Sequence, residues 1–108
     1  MLTPLFNSAS KEKILIFLQA REEGYATEMA RFFNIELFAI QNQLEKLEAG
    51  GILVSKKVGV TRMYTFNPSY AFIDEVKNLL AKAITFYPEE MKEKLLIDRR
   101  RPIMRGRR

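Results

Sequence analysis

Three residue types are missing from this chain of 108 residues: it has no cysteine, no histidine and no tryptophan. Without cysteine there is no disulfide framework and no thiolate zinc site, which fits a reducing, cytoplasmic setting. Without histidine as well, the common nucleophile–base pairs and most transition-metal sites are excluded. No apolar run approaches the ~20 residues that span a bilayer, and the opening MLTPLFNSAS has neither the basic start nor the apolar stretch of a secretory signal. The carboxylates are scattered, with no constellation of nucleophile and base. The chain is therefore read as a non-enzyme with no catalytic residue, no cofactor and no metal site.

What is present is enough for a folded domain. Apolar residues make up 47% of the chain, too many for a disordered one. Its length suits one domain with a modest core. The net charge of +5 is unevenly placed. Six arginines and no acid lie in RRRPIMRGRR, residues 99–108; the other 98 residues hold 12 bases against 13 acids, a balance of −1. The basic character belongs to the tail, so it does not by itself give the folded part an affinity for polyanions.

Within residues 5–22, Leu5 and Phe6 come first, then Asn7 and Ser8 as candidate N-caps of a first helix, with Ile14, Leu15, Phe17 and Leu18 at helical spacing on its apolar face. Gly24 and Tyr25 break it, with room for a very short strand at Tyr25. Thr27 is the expected cap of a second helix carrying Met29, Ala30, Phe32 and Phe33. Asn34 stands at a turn that tolerates left-handed backbone. A third helix follows from Glu36 to Ala49, with Ile40, Leu44 and Leu47 inward and Gly50-Gly51 as its stop. Ile52 to Val54 start a strand, Gly59 marks a hairpin tip, Arg62 to Phe66 return, and Pro68 closes the unit. Beyond it, Phe72, Ile73, Val76, Leu79, Leu80, Ala83 and Ile84 form a helical stripe, and Pro88 opens a last helix ending near Ile97. Helix, helix, turn, helix, hairpin is the order of a winged helix-turn-helix. The expected fold is mainly α with a small β-hairpin wing (α+β) and a C-terminal helical extension.

The residues KEKILIFL, ATEMARFFNI and IQNQLEKLEAGGILVSKKVGVTRMYTFNP carry a resemblance to the winged-helix transcription regulators of bacteria and archaea, closest to the ArsR-like group. The resemblance covers roughly residues 5–70. It implies a homodimer that binds partly palindromic double-stranded DNA through paired third helices. The matching reading positions are Leu37, Phe38, Gln41, Asn42 and Glu45. An amide at Gln41 or Asn42 suits a bidentate contact to adenine, and Leu37 and Phe38 suit thymine methyls. Plain solvated polar residues at 41 and 42, and packing or a protein contact at 37 and 38, are the alternatives. The chain departs from the family where relatives carry small polar residues and this one has Glu36, Leu37, Phe38 and Ala39. The metal-sensing branch uses Cys and His ligands, and this chain has neither.

Lys56, Lys57 and Arg62 flank the hairpin, where they clamp phosphates or form an ordinary solvated face that discourages edge aggregation. The Phe72–Ile84 stripe either completes the core or forms a dimer interface, which would set two third helices roughly 34 Å apart. The expected organisation is residues 1–68 as a DNA-binding domain, 69–98 as dimerisation helices and 99–108 as a basic tail. Function is read as sequence-specific DNA binding in transcription regulation, in the cytoplasm and without a membrane partner. The alternatives are a protein-interaction module on the same fold, or an RNA or DNA binder acting mainly through the arginine tail.

Overall fold

A computed structural model describes residues 2–96 of the chain. A short helical turn precedes the expected first helix. A short α1 (Thr3–Phe6) ends where Asn7 turns left-handed at φ 57°, and α2 (Ala9–Arg21) starts afresh behind Ser8. Ser8 is extended, and its hydroxyl accepts the Lys11 N–H at 3.1 Å, so of the two expected caps Ser8 caps the helix and Asn7 ends the turn before it. Five successive residues of α2, Ile14 to Leu18, are buried. A helix covered all round is the centre of the fold.

Glu22 takes φ 76° and reverses the chain into the very short β1 (Glu23–Tyr25), which ends at Tyr25 where the sequence suggested it would start. Gly24 lies so close to α2 that a Cβ there would sit 2.7 Å from Phe17 Cε1. In α3 (Ala26–Phe33) the N-cap is Tyr25, not Thr27, which lies in the exposed first turn; Glu28 accepts the Tyr25 N–H at 3.2 Å. Phe32 and Phe33 meet Phe17 edge-on at 5.6 and 6.1 Å between ring centres. Asn34 takes the expected left-handed turn at φ 57°, and α4 (Leu37–Ala49) follows with Ile40, Leu44 and Leu47 buried.

Gly51, at φ 86°, turns the chain out of α4 into β2 (Leu53–Val58), and Gly59, at φ 65°, forms the tip before β3 (Thr61–Phe66). The sheet is antiparallel in the order β1-β3-β2, so the hairpin is anchored by a third strand. Asn67 closes the base of the hairpin by donating its backbone N–H to Ile52 O and its side-chain amide to Gly51 O, both at 2.9 Å. This is the α+β winged-helix architecture.

Helix α5 (Ile73–Thr85) and a helical segment at residues 89–96, α6, pack on the same core through Ile73, Leu80, Ala83 and Leu95. The stripe therefore splits. Ile73, Leu80 and Ala83 are spent within the chain and have no surface to offer a partner, Val76 and Ile84 are half-buried, and Phe72 and Leu79 remain outside, 61% and 37% exposed. Phe86, just after α5, extends the outer row. Arg21 locks α6 in place. It is buried, donates to Leu95 O at 3.0 Å and Lys94 O at 3.4 Å, lies 3.6 Å from Glu28, and covers the rings of Phe17 and Phe32. The expected helix end at Ile97 and the arginine tail lie outside the described residues. Among the described residues no helix is long and apolar enough to cross a membrane.

Candidate nucleic-acid interface

Successive residues of an α-helix turn by about 100°. In α4 that geometry, with Ile40, Leu44 and Leu47 inward, sends Phe38, Asn42, Glu45 and Ala49 to the opposite side. The exposures agree: Phe38, Glu45 and Ala49 are exposed, and Asn42 is half-buried. Gln41 is exposed on the flank of this row that faces the hairpin. Leu37 is at the first turn, 38% exposed against 73% for Phe38. All five expected reading positions thus reach the surface of one helix, and of its two apolar ones Phe38 stands further out.

The hairpin meets this helix across an open groove of about 320 Å³, lined among others by Tyr25, Gln41, Glu45, Val60, Arg62 and Tyr64. Strand register decides what the hairpin presents there. Directly opposed residues of an antiparallel pair share a face. Leu53 opposes Phe66, Ser55 opposes Tyr64 and Lys57 opposes Arg62, so Lys57 and Arg62 continue the face that packs inward at the base of the hairpin. Lys56 opposes Met63 and lies on the other face. The three expected phosphate contacts are therefore divided: Arg62 lines the groove, Lys57 shares its face of the hairpin, and Lys56 lies on the other face.

Arg62 is also positioned from below. Its Nη1 donates to Ser55 Oγ at 3.0 Å, and Ser55 Oγ donates to Glu48 Oε2 on α4 at 2.9 Å. This relay fixes the angle between hairpin and helix, and the sequence reading missed both Ser55 and Glu48. The alternation that places Leu53 inward was a usable signal for Ser55, since a step of two puts both on one face. Nothing local pointed to Glu48. Tyr64 forms part of the groove wall. Burial first, and the nearby Glu48 second, push its hydroxyl above the ordinary tyrosine value, so it stays neutral.

The field of this surface is mixed. Residues 36–49 carry Glu36, Glu45 and Glu48 against Lys46 alone. Positive charge comes from the hairpin. Among the described residues no group of three His, Cys, Asp or Glu side chains is arranged to hold a metal ion.

A second polar cluster lies away from this surface. Glu12 is buried in α2 and accepts from Thr3 Oγ1 at 2.8 Å and from the Tyr87 hydroxyl at 2.6 Å. Burial works to raise its carboxyl, and the hydrogen bonds from Tyr87, the Leu2 backbone and Thr3 outweigh it, leaving the group below its usual value. The cluster ties α1 and the α5–α6 junction to α2.

No protein-family model and no curated protein sequence matches the chain. Solved structures do. Reduced HlyU from Vibrio cholerae N16961 aligns with a TM-score of 0.65 at 20% identity, over 82% of this chain and 86% of that one. A double mutant of Lactococcus lactis ZitR gives 0.57 at 17% identity, over 82% and 67%. The adhesin competence repressor AdcR of Streptococcus pyogenes gives 0.55 at 16% identity, over 96% and 84%. At these identities the likeness is one of fold, and it agrees with the winged-helix architecture read from the strands and helices.

Proposed function

We propose that this protein is a DNA-binding transcriptional regulator akin to the ArsR-like winged-helix group. It acts as a homodimer that sets α4 in the major groove and the hairpin on the backbone. One observation carries the reading above the others: Lys57 and Arg62 stand directly opposite each other on the face of the hairpin that borders the groove beside α4. Like charges paired across two strands destabilise a hairpin. A phosphate between them turns that repulsion into attraction, and a duplex whose major groove receives α4 brings phosphates to this place. The outer row of Phe72, Leu79 and Phe86 supports the homodimer, since two such rows can cover each other. The arginine tail would add affinity without sequence preference.

The test is fluorescence anisotropy of the full chain and a 1–98 truncation on pooled genomic duplex fragments across a salt series. Selective binding by both supports base reading through α4. Binding by the full chain alone, without selectivity, places the affinity in the tail and refutes the mechanism. A second reading, a protein-interaction module, draws on the 73% exposure of Phe38 beside Leu37. It requires that Phe38→Ala abolish assembly while duplex binding is absent from the start.

A further inference from the structure

The flank of α4 that turns toward the hairpin lacks the usual partner for guanine. In the major groove guanine offers only acceptors, N7 and O6, and its best partner is the paired donor of arginine or lysine. There is no arginine in α4, and its one lysine, Lys46, is exposed beside Asn42 but lies about 100° round the helix from Glu45 and about 140° from Gln41, off the flank that faces the hairpin. The outward row offers instead an exposed aromatic ring (Phe38), two amides (Gln41 and Asn42) and a carboxylate (Glu45). Each has a different partner on a base edge. The ring suits the thymine methyl, an amide pairs with adenine N6 and N7, and a carboxylate accepts from the cytosine amino group.

Resting on the reading of the chain as a duplex-DNA binder, we infer that α4 selects a half-site of the order thymine, adenine, cytosine without a direct guanine contact. Phe38 covers the thymine methyl, Gln41 or Asn42 takes the adenine, and Glu45 takes the cytosine. The spacing is consistent. From residue 38 to residue 45 the helix rises roughly 10 Å, about three base-pair steps, so the three bases fall in this order within a run of about four base pairs. Charge separates the roles of the two elements. The carboxylates of Glu36 and Glu45 repel phosphates, so α4 gains only where Glu45 finds a base donor. The cations of the hairpin hold the backbone whatever the sequence.

The experiment begins with selection of bound duplexes from random-sequence DNA by the full-length protein. The preferred site is then altered one atom group at a time. Deoxyuridine for thymidine removes only the methyl group. It should weaken binding by wild type about fourfold, and should make no difference to Phe38→Ala, whose side chain is exposed enough to leave the fold intact. Replacing the cytosine–guanine pair with thymine–adenine should cost wild type roughly 5- to 150-fold. The penalty should nearly vanish in Glu45→Gln, because an amide can also donate to thymine O4. If a site is selected and these edits leave wild type and variants alike, the base assignment is overturned while the regulator reading stands. Dependence on guanine N7, shown with 7-deazaguanine and abolished by Lys46→Ala, overturns it as well. If no site is selected and no duplex binds at low salt, the regulator reading itself is wrong, and this inference falls with it.

Discussion

Replacing Lys57 with glutamine should move stability and DNA binding in opposite directions. In the free protein Lys57 and Arg62 face each other across β2 and β3, on the exposed part of the hairpin. Their repulsion is screened by water, so removing one charge should stabilise the fold by only a few tenths of a kcal/mol. For a chain of this size that raises Tm by about 1–2 °C. Bound to duplex, the same lysine would neutralise one phosphate per subunit. Its loss should make the slope of log K against log salt shallower by about 0.9 per subunit, or about 1.8 for a dimer. The arginine tail is unchanged in both proteins, so its share of the slope cancels in the difference. Anisotropy on one duplex between 50 and 200 mM salt reads the slope, and thermal melting by circular dichroism reads Tm. An unchanged slope would mean that Lys57 lies on a plain solvated face. A lower Tm would mean that the cross-strand pair is not repulsive in the free protein. Either result refutes the reasoning. Arg62→Gln is a poorer probe, because it also breaks the hydrogen bond to Ser55.

Gly24→Ala should cost about 2 kcal/mol and lower Tm by about 8–16 °C, because the new methyl falls 2.7 Å from a Phe17 ring that Phe32 and Phe33 hold in place; an unaltered melting curve would show that the ring gives way freely. Arg21→Ala should cost roughly 2–3 kcal/mol, and lysine should not rescue it, since only a guanidinium forks to Leu95 O and Lys94 O together. Hydrogen exchange should then rise first in α6, and uniform protection along the chain would contradict the clamp. The folded pKa of Glu12 lies below its ordinary value of 4.5. Its contribution is therefore complete above about that pH and fades as pH falls through the folded value. Tyr87→Phe removes one of its donors, so acid unfolding of that variant should begin at a higher pH than in wild type, and coincident acid transitions would count against the cluster.

The winged helix was legible because its signals are local. Ile40, Leu44 and Leu47 mark one side of α4 by spacing alone, and Asn34 and Gly59 occupy positive-φ turns that few other residues accept. Ser8 was legible as a cap for the same reason, since its hydroxyl reaches a backbone N–H three residues on. Thr27 misled because Thr is a good cap by type, whereas the start of α3 is fixed by β1 pairing with β3, which extends the backbone through Tyr25. The short α1 before Asn7 was not legible, because four residues are too few to show a helical period.

The sequence by itself determined the order of elements, the inner face of each helix and the types of side chain available for contact, because period and turn chemistry act over a few residues. Tertiary structure alone decided which contacts are open. Packing against α2 withdrew Ile73, Leu80 and Ala83 from the surface and left Phe72 and Leu79 on it. Strand register set Lys57 beside Arg62 and turned Lys56 away. The Arg62–Ser55–Glu48 relay fixed the hairpin against α4. Each of these depends on residues distant in sequence meeting in space, where one step of register reverses the face a side chain occupies.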